Sequence, residues 1–321
     1  MRGNRFGRLC LGSVGALLLT LTAAACSPAT GSTAGSALAP TTVPAPLSAA
    51  VAGGATFFSA TSPWNTPLAA STTWHDKAAL RAQDWWVNYT SYSNPVYISK
   101  SSDPVVTVNA TGSWGWPTAA LQVHVPTGAG ASAGTDQSIV IIDGATAYDF
   151  WIFQRTGAST ATAGAYGESN IVTGTGFGTL SPWLSAGIRA AGSSGLGGEI
   201  YGSELSTGIH HALSIAAPGG FFCSDVPAGN PNGYVAPAIY NDGSCEGVRV
   251  GIPAGTAMPS GLSLQGQNLW KALQTYGAYN VDTAGGGTVI LNADPNSVPS
   301  TDLSAMWGDL HVIDQYVRVV N

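Results

Sequence analysis

The sequence contains little charge: only 9% of its 321 residues are Asp, Glu, Lys or Arg, against about 25% in ordinary soluble domains. Its 11 Lys and Arg residues are too few for the clustered basic surface that a phosphate backbone requires, so we expect no nucleic-acid partner. Coiled coils and long helical arrays need charged flanking positions and are excluded for the same reason. Because 45% of the residues are hydrophobic, with ten Trp, the chain has enough apolar surface to form a core.

No apolar run is long enough for a convincing transmembrane helix. The run from Leu9 to Leu21 is interrupted by Gly and Thr and falls short of the roughly 20 residues that a membrane span needs. Three arginines precede the run, and small residues follow it as far as Cys26. This is the layout of a secretory signal peptide, which we predict over residues 1–25.

The end of this segment, Ala23-Ala24-Ala25-Cys26, resembles a bacterial lipoprotein signal. In that family the cysteine is diacylated and becomes the new N-terminus, although the family usually has Leu where this chain has Ala23. The resemblance implies lipidation at Cys26 and a position on the extracellular face of the cell membrane. The alternative is ordinary cleavage near Ala24 or Ala25, which gives a secreted protein with a free Cys26.

The next stretch, residues 26–54, contains neither charge nor aromatic side chains and consists largely of Ala, Thr, Ser, Pro and Gly. Such a composition predicts a flexible tether, with a single folded domain over residues 55–321. Removal of three arginines with the signal leaves 8 basic against 17 acidic residues, a net charge of −9. That charge disfavours polyanionic substrates.

Cysteine is scarce, with four in the chain. Cys10 lies in the signal peptide and Cys26 at the anchor, so Cys223 and Cys245 remain as an even pair in an oxidising compartment. We predict a disulfide between them. A zinc site is the poorer interpretation because no histidine lies near the two thiols, and we predict no metal site.

Short β-branched or alternating runs recur between Gly-rich turns, a pattern typical of a sandwich or barrel. The predicted strands are 105–108, 121–125, 139–142, 148–154, 209–215, 234–240, 288–291 and 316–320. Helical spacing of apolar residues predicts helices over 76–89, 269–276 and 302–313. The predicted fold is therefore all-β, a β-sandwich of jelly-roll or concanavalin-like type with a few peripheral helices.

The predicted strand at 148–155 is the first candidate for a functional site. Alternation places four functional side chains on one face of it, namely Asp149, Trp151, Phe153 and Arg155. An acid, two aromatic rings and a guanidinium on one face are typical of a carbohydrate groove, in which rings stack on sugars. The alternative is an exposed face with a satellite aromatic cluster and no site.

A second candidate is the segment from Glu204 to Ile215, in which His211 shares the core-facing side of a strand. His211 is either a hydrogen-bonded core residue or, if that face lines a cleft, a general base with Glu204 or Asp149 as its acid or orienting partner. Glycosidases need two carboxyl groups about 5–5.5 Å or about 6.5–9.5 Å apart. With only 17 acidic residues in the chain, the candidates are few, and Asp136 is an assisting one.

Several phrases, spread over residues 58–320, together resemble a family of secreted bacterial proteins with no assigned activity. They are Ser62-Pro63-Trp64-Asn65, Asp136-Gln137-Ser138, Tyr148-Asp149-Phe150-Trp151, Gly208-Ile209-His210-His211-Ala212-Leu213 and Ala272-Leu273-Gln274-Thr275-Tyr276-Gly277. That family usually has His where this chain has Ser138, and Glu where it has Asp149. The resemblance implies secretion and a single domain. If the family's His were catalytic, this member would be inactive or differently organised.

Two functions fit these features. The first is a glycoside hydrolase or polysaccharide lyase acting on a neutral or weakly charged glycan; its catalytic residues would be Asp149, Glu204, His211 and Asp136. The second is a surface lipoprotein that binds polysaccharide or cell-wall glycan without cleaving it. In both, the predicted sugar-binding residues are Trp64, Trp151, Tyr276 and Arg155. We expect a monomer. We also expect no cofactor, since the sequence contains no P-loop, nucleophile elbow or H-E-x-x-H motif. A purely structural domain is a third alternative.

Lipidation at Cys26 is tested by Cys26→Ser. The serine variant cannot be diacylated, so we expect it to leave the membrane fraction and appear in the culture medium. The measurement is an immunoblot of the membrane and medium fractions for wild type and variant. Unchanged membrane retention of the variant would refute lipidation.

Overall fold

A computed structural model describes residues 56–112, 116–180, 183–226, 235–240 and 243–321. The predicted signal peptide, the lipidation site Cys26 and the tether at 26–54 lie outside the described residues. In the described part, strands outweigh helices and form several sheets, which confirms the prediction of a β-rich fold.

Seven strands form the largest sheet, hereafter the large sheet. Across it they run in the order β1 (Trp74–His75), β17 (Arg318–Val320), β14 (Arg249–Gly251), β15 (Ala278–Ala284), β13 (Leu213–Pro218), β16 (Thr288–Asn292) and β2 (Asp84–Asn88). The sheet is mixed, because β13 pairs in parallel with β15 and β16 pairs in parallel with β2, whereas the other neighbours are antiparallel.

Two further sheets have four strands each. The middle sheet has the order β10 (Ala165–Asn170), β7 (Thr146–Trp151), β6 (Ile139–Asp143) and β3 (Val96–Ile98). The outer sheet has the order β5 (Ala120–His124), β4 (Val105–Ala110), β9 (Thr160–Ala163) and β8 (Gln154–Arg155). A small hairpin joins β11 (Thr179–Leu180) to β12 (Trp183–Leu184).

The helices of the described residues are α1 (Ala78–Arg81), α2 (Glu204–Thr207), α3 (Leu264–Thr275) and α4 (Ser300–Ile313), with 3-10 turns at Pro63–Asn65, Cys223–Asp225 and Asp314–Tyr316. The Ser263 hydroxyl begins α3 by accepting a hydrogen bond from the Gly266 amide at 3.1 Å. Within the described ranges, none of these helices combines the length and the apolar character that crossing a membrane requires.

The alternation of side chains along β6 shows how the layers are stacked. Ile139 and Ile141 pack into the hydrophobic cluster shared with the outer sheet, whereas Val140 and Ile142 pack into the cluster that contains Val281 of the large sheet. The middle sheet is therefore covered on both faces, which explains why β6 is a continuous apolar run.

The opposite face of the large sheet carries the helices. Leu213 and Ile215 of β13 share one buried cluster with Leu269, Trp270 and Leu273 of α3. The order of layers is helices, large sheet, middle sheet and outer sheet. The middle and outer sheets pack face to face, but the large sheet is mixed and helix-covered, so the jelly-roll or concanavalin-like type stays a prediction.

The predicted helix over 76–89 is wrong. Only Ala78–Arg81 is helical, and the following Trp pair belongs to β2, which pairs in parallel with β16 in the register Trp85↔Val289. The buried Trp85 indole also donates to the Leu80 carbonyl at 3.0 Å. Pairing with a strand about two hundred residues away outweighs local helix propensity here.

The strand predicted over 234–240 is wrong in its described part, whereas the other remaining elements follow the predictions with shifted bounds. The helices predicted over 269–276 and 302–313 are confirmed and begin a few residues earlier. The strand predicted over 148–154 ends at Trp151, the one over 209–215 begins at Leu213, and the one over 316–320 begins at Arg318. Residues 235–240 contain no strand. The strands predicted over 105–108, 121–125, 139–142 and 288–291 are present, although β5 ends one residue earlier, at His124.

The predicted disulfide between Cys223 and Cys245 is confirmed, with the two Cα atoms 5.2 Å apart. It closes a loop across a sequence separation of 22 residues. Cys245 is buried in the main cluster, whereas Cys223 is exposed.

The role of α3 in the core is tested by comparing two tryptophans. Trp270 is fully buried, so Trp270→Ala should lower the free energy of unfolding by about 3–5 kcal/mol. Trp307 on α4 is 52% exposed, so Trp307→Ala should change it by only about 0.5 kcal/mol. Urea denaturation followed by circular dichroism measures both, and equal losses would contradict the burial of α3.

Candidate functional site

A cleft of about 520 Å³ opens at one end of the middle sheet. The strands β3 and β6 begin at this end and the antiparallel β7 finishes there, so residues just before β3 and β6 meet the last residue of β7. The polar residues that line the cleft are Asn94, Asp136, Ser138, Arg189, Tyr240 and Asp282. Trp116 and Trp151 supply aromatic surface.

The backbone beside Asp136 and Trp151 adopts an unfavourable conformation. Gln137 has φ of 42° and Ile152 has φ of 51°, in the left-handed region that a β-branched residue rarely enters. Two hydrogen bonds hold this geometry: the Ile152 amide donates to the Asp136 carbonyl at 2.7 Å, and the Phe153 amide donates to the Gln137 carbonyl at 2.9 Å. Backbone strain of this kind concentrates at functional sites, where it fixes side-chain direction.

Trp151 is half-buried and its ring lies against Gly164. A Cβ atom at position 164 would lie 2.7 Å from the indole, so only glycine leaves room for the ring. The Gly164 amide donates to the Trp151 carbonyl at 2.7 Å. The backbone at Gly164 thus sets the position of the Trp151 indole in the cleft.

Among the described residues, Arg189 is the one basic residue that lines the cleft, and it is 5% exposed. Its Nη1 donates to the Tyr92 carbonyl at 3.4 Å and to Asp282 Oδ2 at 3.5 Å. Its Nη2 has no hydrogen-bond partner among the described residues. Asn94 is fully buried; its backbone amide donates to Glu199 Oε1 at 2.9 Å, while neither polar atom of its side chain has a described partner.

Buried carboxyl groups lie behind this wall. Asp149 accepts hydrogen bonds from the Ser194 hydroxyl at 3.0 Å and from the Gly195 amide. Burial raises the pKa of Asp149 to about 7, against the hydrogen bonds and the Arg189 charge, which lower it. Burial also raises the pKa of Glu199 well above its ordinary value, and the nearby Asp294 carboxylate raises it further.

Glu204 and His211 meet, but away from this cleft. His211 Nε2 lies 2.9 Å from Glu204 Oε1, and its Nδ1 lies 2.9 Å from the Ala212 carbonyl oxygen. Burial lowers the pKa of His211, and the Glu204 carboxylate more than offsets this, so the pKa lies above its usual range. Both ring nitrogens are engaged, which leaves the imidazole no lone pair for a substrate proton.

The space next to His211 is also small. The crevice that His211 lines with Trp64 has a volume of about 10 Å³, about the minimum for one water molecule. Of the four residues predicted to be catalytic, Glu204 and His211 form a buried pair, Asp149 belongs to a separate hydrogen-bond network, and Asp136 lines the cleft. The structure does not bring the four together.

The predicted sugar-binding residues are dispersed as well. Trp64 is 1% exposed and stacks on Phe177 with ring centroids 4.9 Å apart. Tyr276 is half-buried against the cluster between the large and middle sheets. Arg155 is exposed and its Nη2 donates to the Val125 carbonyl at 3.4 Å. Only Trp151 among the four lines the cleft.

Sequence reasoning did not assign Asn94, Arg189 or Asp282 to a site. Ser138 ends the phrase Asp136-Gln137-Ser138, and Asp282 follows the phrase Ala272–Gly277, so proximity to these phrases was one available signal. Arg189 is one of only 8 basic residues beyond residue 25, and that scarcity was another available signal. No sequence pattern marks Asn94, because its position in the cleft follows from where β3 begins.

Neither a metal site nor a known relative explains the cleft. Within the ranges that the structure describes, no group of three or more His, Cys, Asp or Glu residues is placed to hold a metal ion. Comparison of the chain with protein families, curated proteins and solved structures found no match.

The raised pKa of Asp149 predicts a pH-dependent stability. An unfolded Asp titrates near its ordinary value of 3.8 and the folded one near 7, so between these values the folded protein holds one more proton. The free energy of unfolding should therefore fall as pH rises through this window, with a contribution of about 1.4 kcal/mol per pH unit that ends above about pH 7.

Asp149→Asn should remove that contribution, since asparagine does not titrate. Urea denaturation at pH 5, 6, 7 and 8 measures the slope for wild type and variant. The exposed Asp84→Asn is the matched control and should leave the slope unchanged. Parallel slopes for wild type and Asp149→Asn would contradict the assignment.

Proposed function

We propose that this protein binds a polysaccharide or cell-wall glycan in the cleft beside Trp151. The observation that carries the proposal is the lining itself: the half-buried Trp151 indole and the mostly buried Trp116 stand next to carboxylate, amide and guanidinium groups. Aromatic rings stack on the apolar faces of sugars, and planar polar groups bind their hydroxyls. The cleft volume of about 520 Å³ lies in the range of small-molecule sites.

Binding is the first choice over catalysis because of how the acids are arranged. The Glu204–His211 pair and the Asp149 carboxyl are buried and satisfied by partners within the fold. Both Asp136 and Asp282 line the cleft, but Asp282 lies 3.5 Å from the Arg189 guanidinium. This arrangement favours recognition of hydroxyl groups by fixed polar side chains.

We extend the proposal to the location of the protein. A signal peptide at 1–25, a lipid on Cys26 and a tether over 26–54 would hold the glycan-binding body on the extracellular face of the membrane. The cross-linked pair Cys223–Cys245 supports an oxidising compartment. In this proposal the protein is a monomeric surface lipoprotein whose sheets pack as a β-sandwich.

A glycan array with the purified protein tests the proposal, using Trp151→Ala. Loss of a central Trp contact should weaken the binding of each glycan that the wild type binds on the array by about 2 kcal/mol, or about 30-fold in Kd. Trp307→Ala is the matched control, because Trp307 is 52% exposed on α4 and does not line the cleft. Binding that is absent in wild type, or equally strong in Trp151→Ala, would overturn the proposal.

A glycan-cleaving enzyme is the second candidate, favoured by one specific observation. Asp136 lines the cleft next to the strained Gln137, and Asp149, whose pKa is about 7, lies behind the wall. The same incubations distinguish the two functions by assay of reducing ends and of unsaturated sugars. Product formation that Asp136→Asn abolishes would make the protein an enzyme; binding without product in wild type would leave it a binding protein. Asp149→Asn and Glu204→Gln in parallel test their predicted catalytic roles.

A further inference from the structure

Three buried polar atoms of residues that line the cleft have no partner within the described residues: Nδ2 and Oδ1 of Asn94 and Nη2 of Arg189. Asn94 is 0% exposed and Arg189 is 5% exposed, and both line the cleft. Buried polar groups in folded proteins nearly always have hydrogen-bond partners, so these atoms require a partner from outside the described residues, which a ligand in the cleft would supply.

The three atoms define what that ligand must offer. The amide Nδ2 and the guanidinium Nη2 are donors, and the amide Oδ1 is an acceptor. A single carboxylate satisfies the two donors but leaves Oδ1 unpaired, because it has no hydrogen to give. Two adjacent hydroxyl groups satisfy all three, since one donates to Oδ1 while the oxygens accept from Nδ2 and Nη2.

The packing fixes the amide in this position. A Cβ atom on Gly195 would lie 2.1 Å from Asn94 Nδ2 and 2.8 Å from Asp149 Oδ1, so the amide and the carboxyl both pack against this glycine. The Asn94 backbone amide is held by Glu199 at 2.9 Å. The recognition group is therefore built into the wall before a ligand arrives.

The charge of the site disfavours an acidic ligand. Asp136 and Asp282 line the cleft together with the single guanidinium of Arg189, which already lies 3.5 Å from Asp282. The Arg189 charge also acts on the buried Asp149 and Glu199. A ligand carboxylate would face the Asp136 and Asp282 carboxylates and a single cation, Arg189, whose charge Asp282 already compensates. The net charge of −9 after signal removal adds to the repulsion.

We propose that Asn94 and Arg189 bind a vicinal diol of an uncharged pyranose and so select neutral glycans against their uronate counterparts. Asn94 Oδ1 accepts from one hydroxyl, Nδ2 donates to the adjacent one, and Arg189 Nη2 donates to the same pair. This inference rests on the proposed glycan-binding function and assigns its specificity to these two residues.

A matched pair of probes tests the selection. The β-1,4-linked hexamers of mannose and of mannuronate share linkage and ring stereochemistry and differ at C6; the hexamers of glucose and xylose extend the neutral set. Calorimetric Kd values for the full-length protein should be at least about tenfold lower for one or more neutral hexamers than for the mannuronate hexamer. Mannuronate bound as tightly as the best neutral hexamer would overturn this inference and leave glycan binding intact. No binding to any of the hexamers would overturn both.

Two conservative variants test the residues. Asn94→Asp removes the amide donor, and Arg189→Lys removes the paired N–H donors of the planar guanidinium. Each should raise the Kd of the neutral hexamer that wild type binds most tightly by about tenfold. Arg81→Lys is the control, since Arg81 pairs with Asp76 and does not line the cleft. Melting curves show that each variant is folded. Should Asn94→Asp fail to fold, the Kd of Arg189→Lys and the wild-type comparison of neutral with mannuronate hexamers still test the inference. Wild-type affinity in both variants would overturn the inference.

Discussion

The carboxyl group of Asp149 joins the middle sheet to the loop that carries Arg189, and the cleft depends on this contact. The loop between β12 and α2 has no regular strand of its own in the layer stack, and Asp149 binds it through the Ser194 hydroxyl and the Gly195 amide. Glycines allow the close approach: a Cβ on Gly167 of β10 would lie 2.4 Å from the Gly187 amide nitrogen. The loop is also held from the large sheet, because the Ala191 amide donates to the Val281 carbonyl of β15 at 2.9 Å.

The same contact offsets only part of the cost of burying a carboxyl group in a protein so poor in charge. Burying a carboxylate is unfavourable unless it is paired or hydrogen-bonded, and the raised pKa of Asp149 shows that burial outweighs its partners. Near neutral pH the group gains or loses its proton with little change in free energy. The interface between the large and middle sheets thus combines an apolar cluster with a polar seam of Asp149, Glu199 and Asp294.

The apolar pattern predicted most of the strands, including β6 and β16, and failed where a helical spacing of apolar residues or a backbone kink hides the strand. The run Ile139–Ile142 was evident because both of its faces are covered. β2 was mistaken for helix because the apolar residues over 76–89 recur at helical spacing. In the segment 148–155, Asp149 and Trp151 do share a face, but the left-handed Ile152 reverses the alternation, so Phe153 packs 5.5 Å from Phe150 in the outer cluster. Arg155 therefore leaves the predicted groove, and Asn94 and Arg189 reach it from segments with no periodic signal.

Tyr240, which lines the cleft, belongs to a loop that is closed by the Cys223–Cys245 disulfide. Tyr240 lies between Cys223 and Cys245 in sequence, and the disulfide joins the ends of that segment. The cross-link limits how far the segment that carries Tyr240 can move away from the rest of the cleft. If the cleft binds a glycan as proposed, oxidation of these two thiols would be one step in shaping the binding surface.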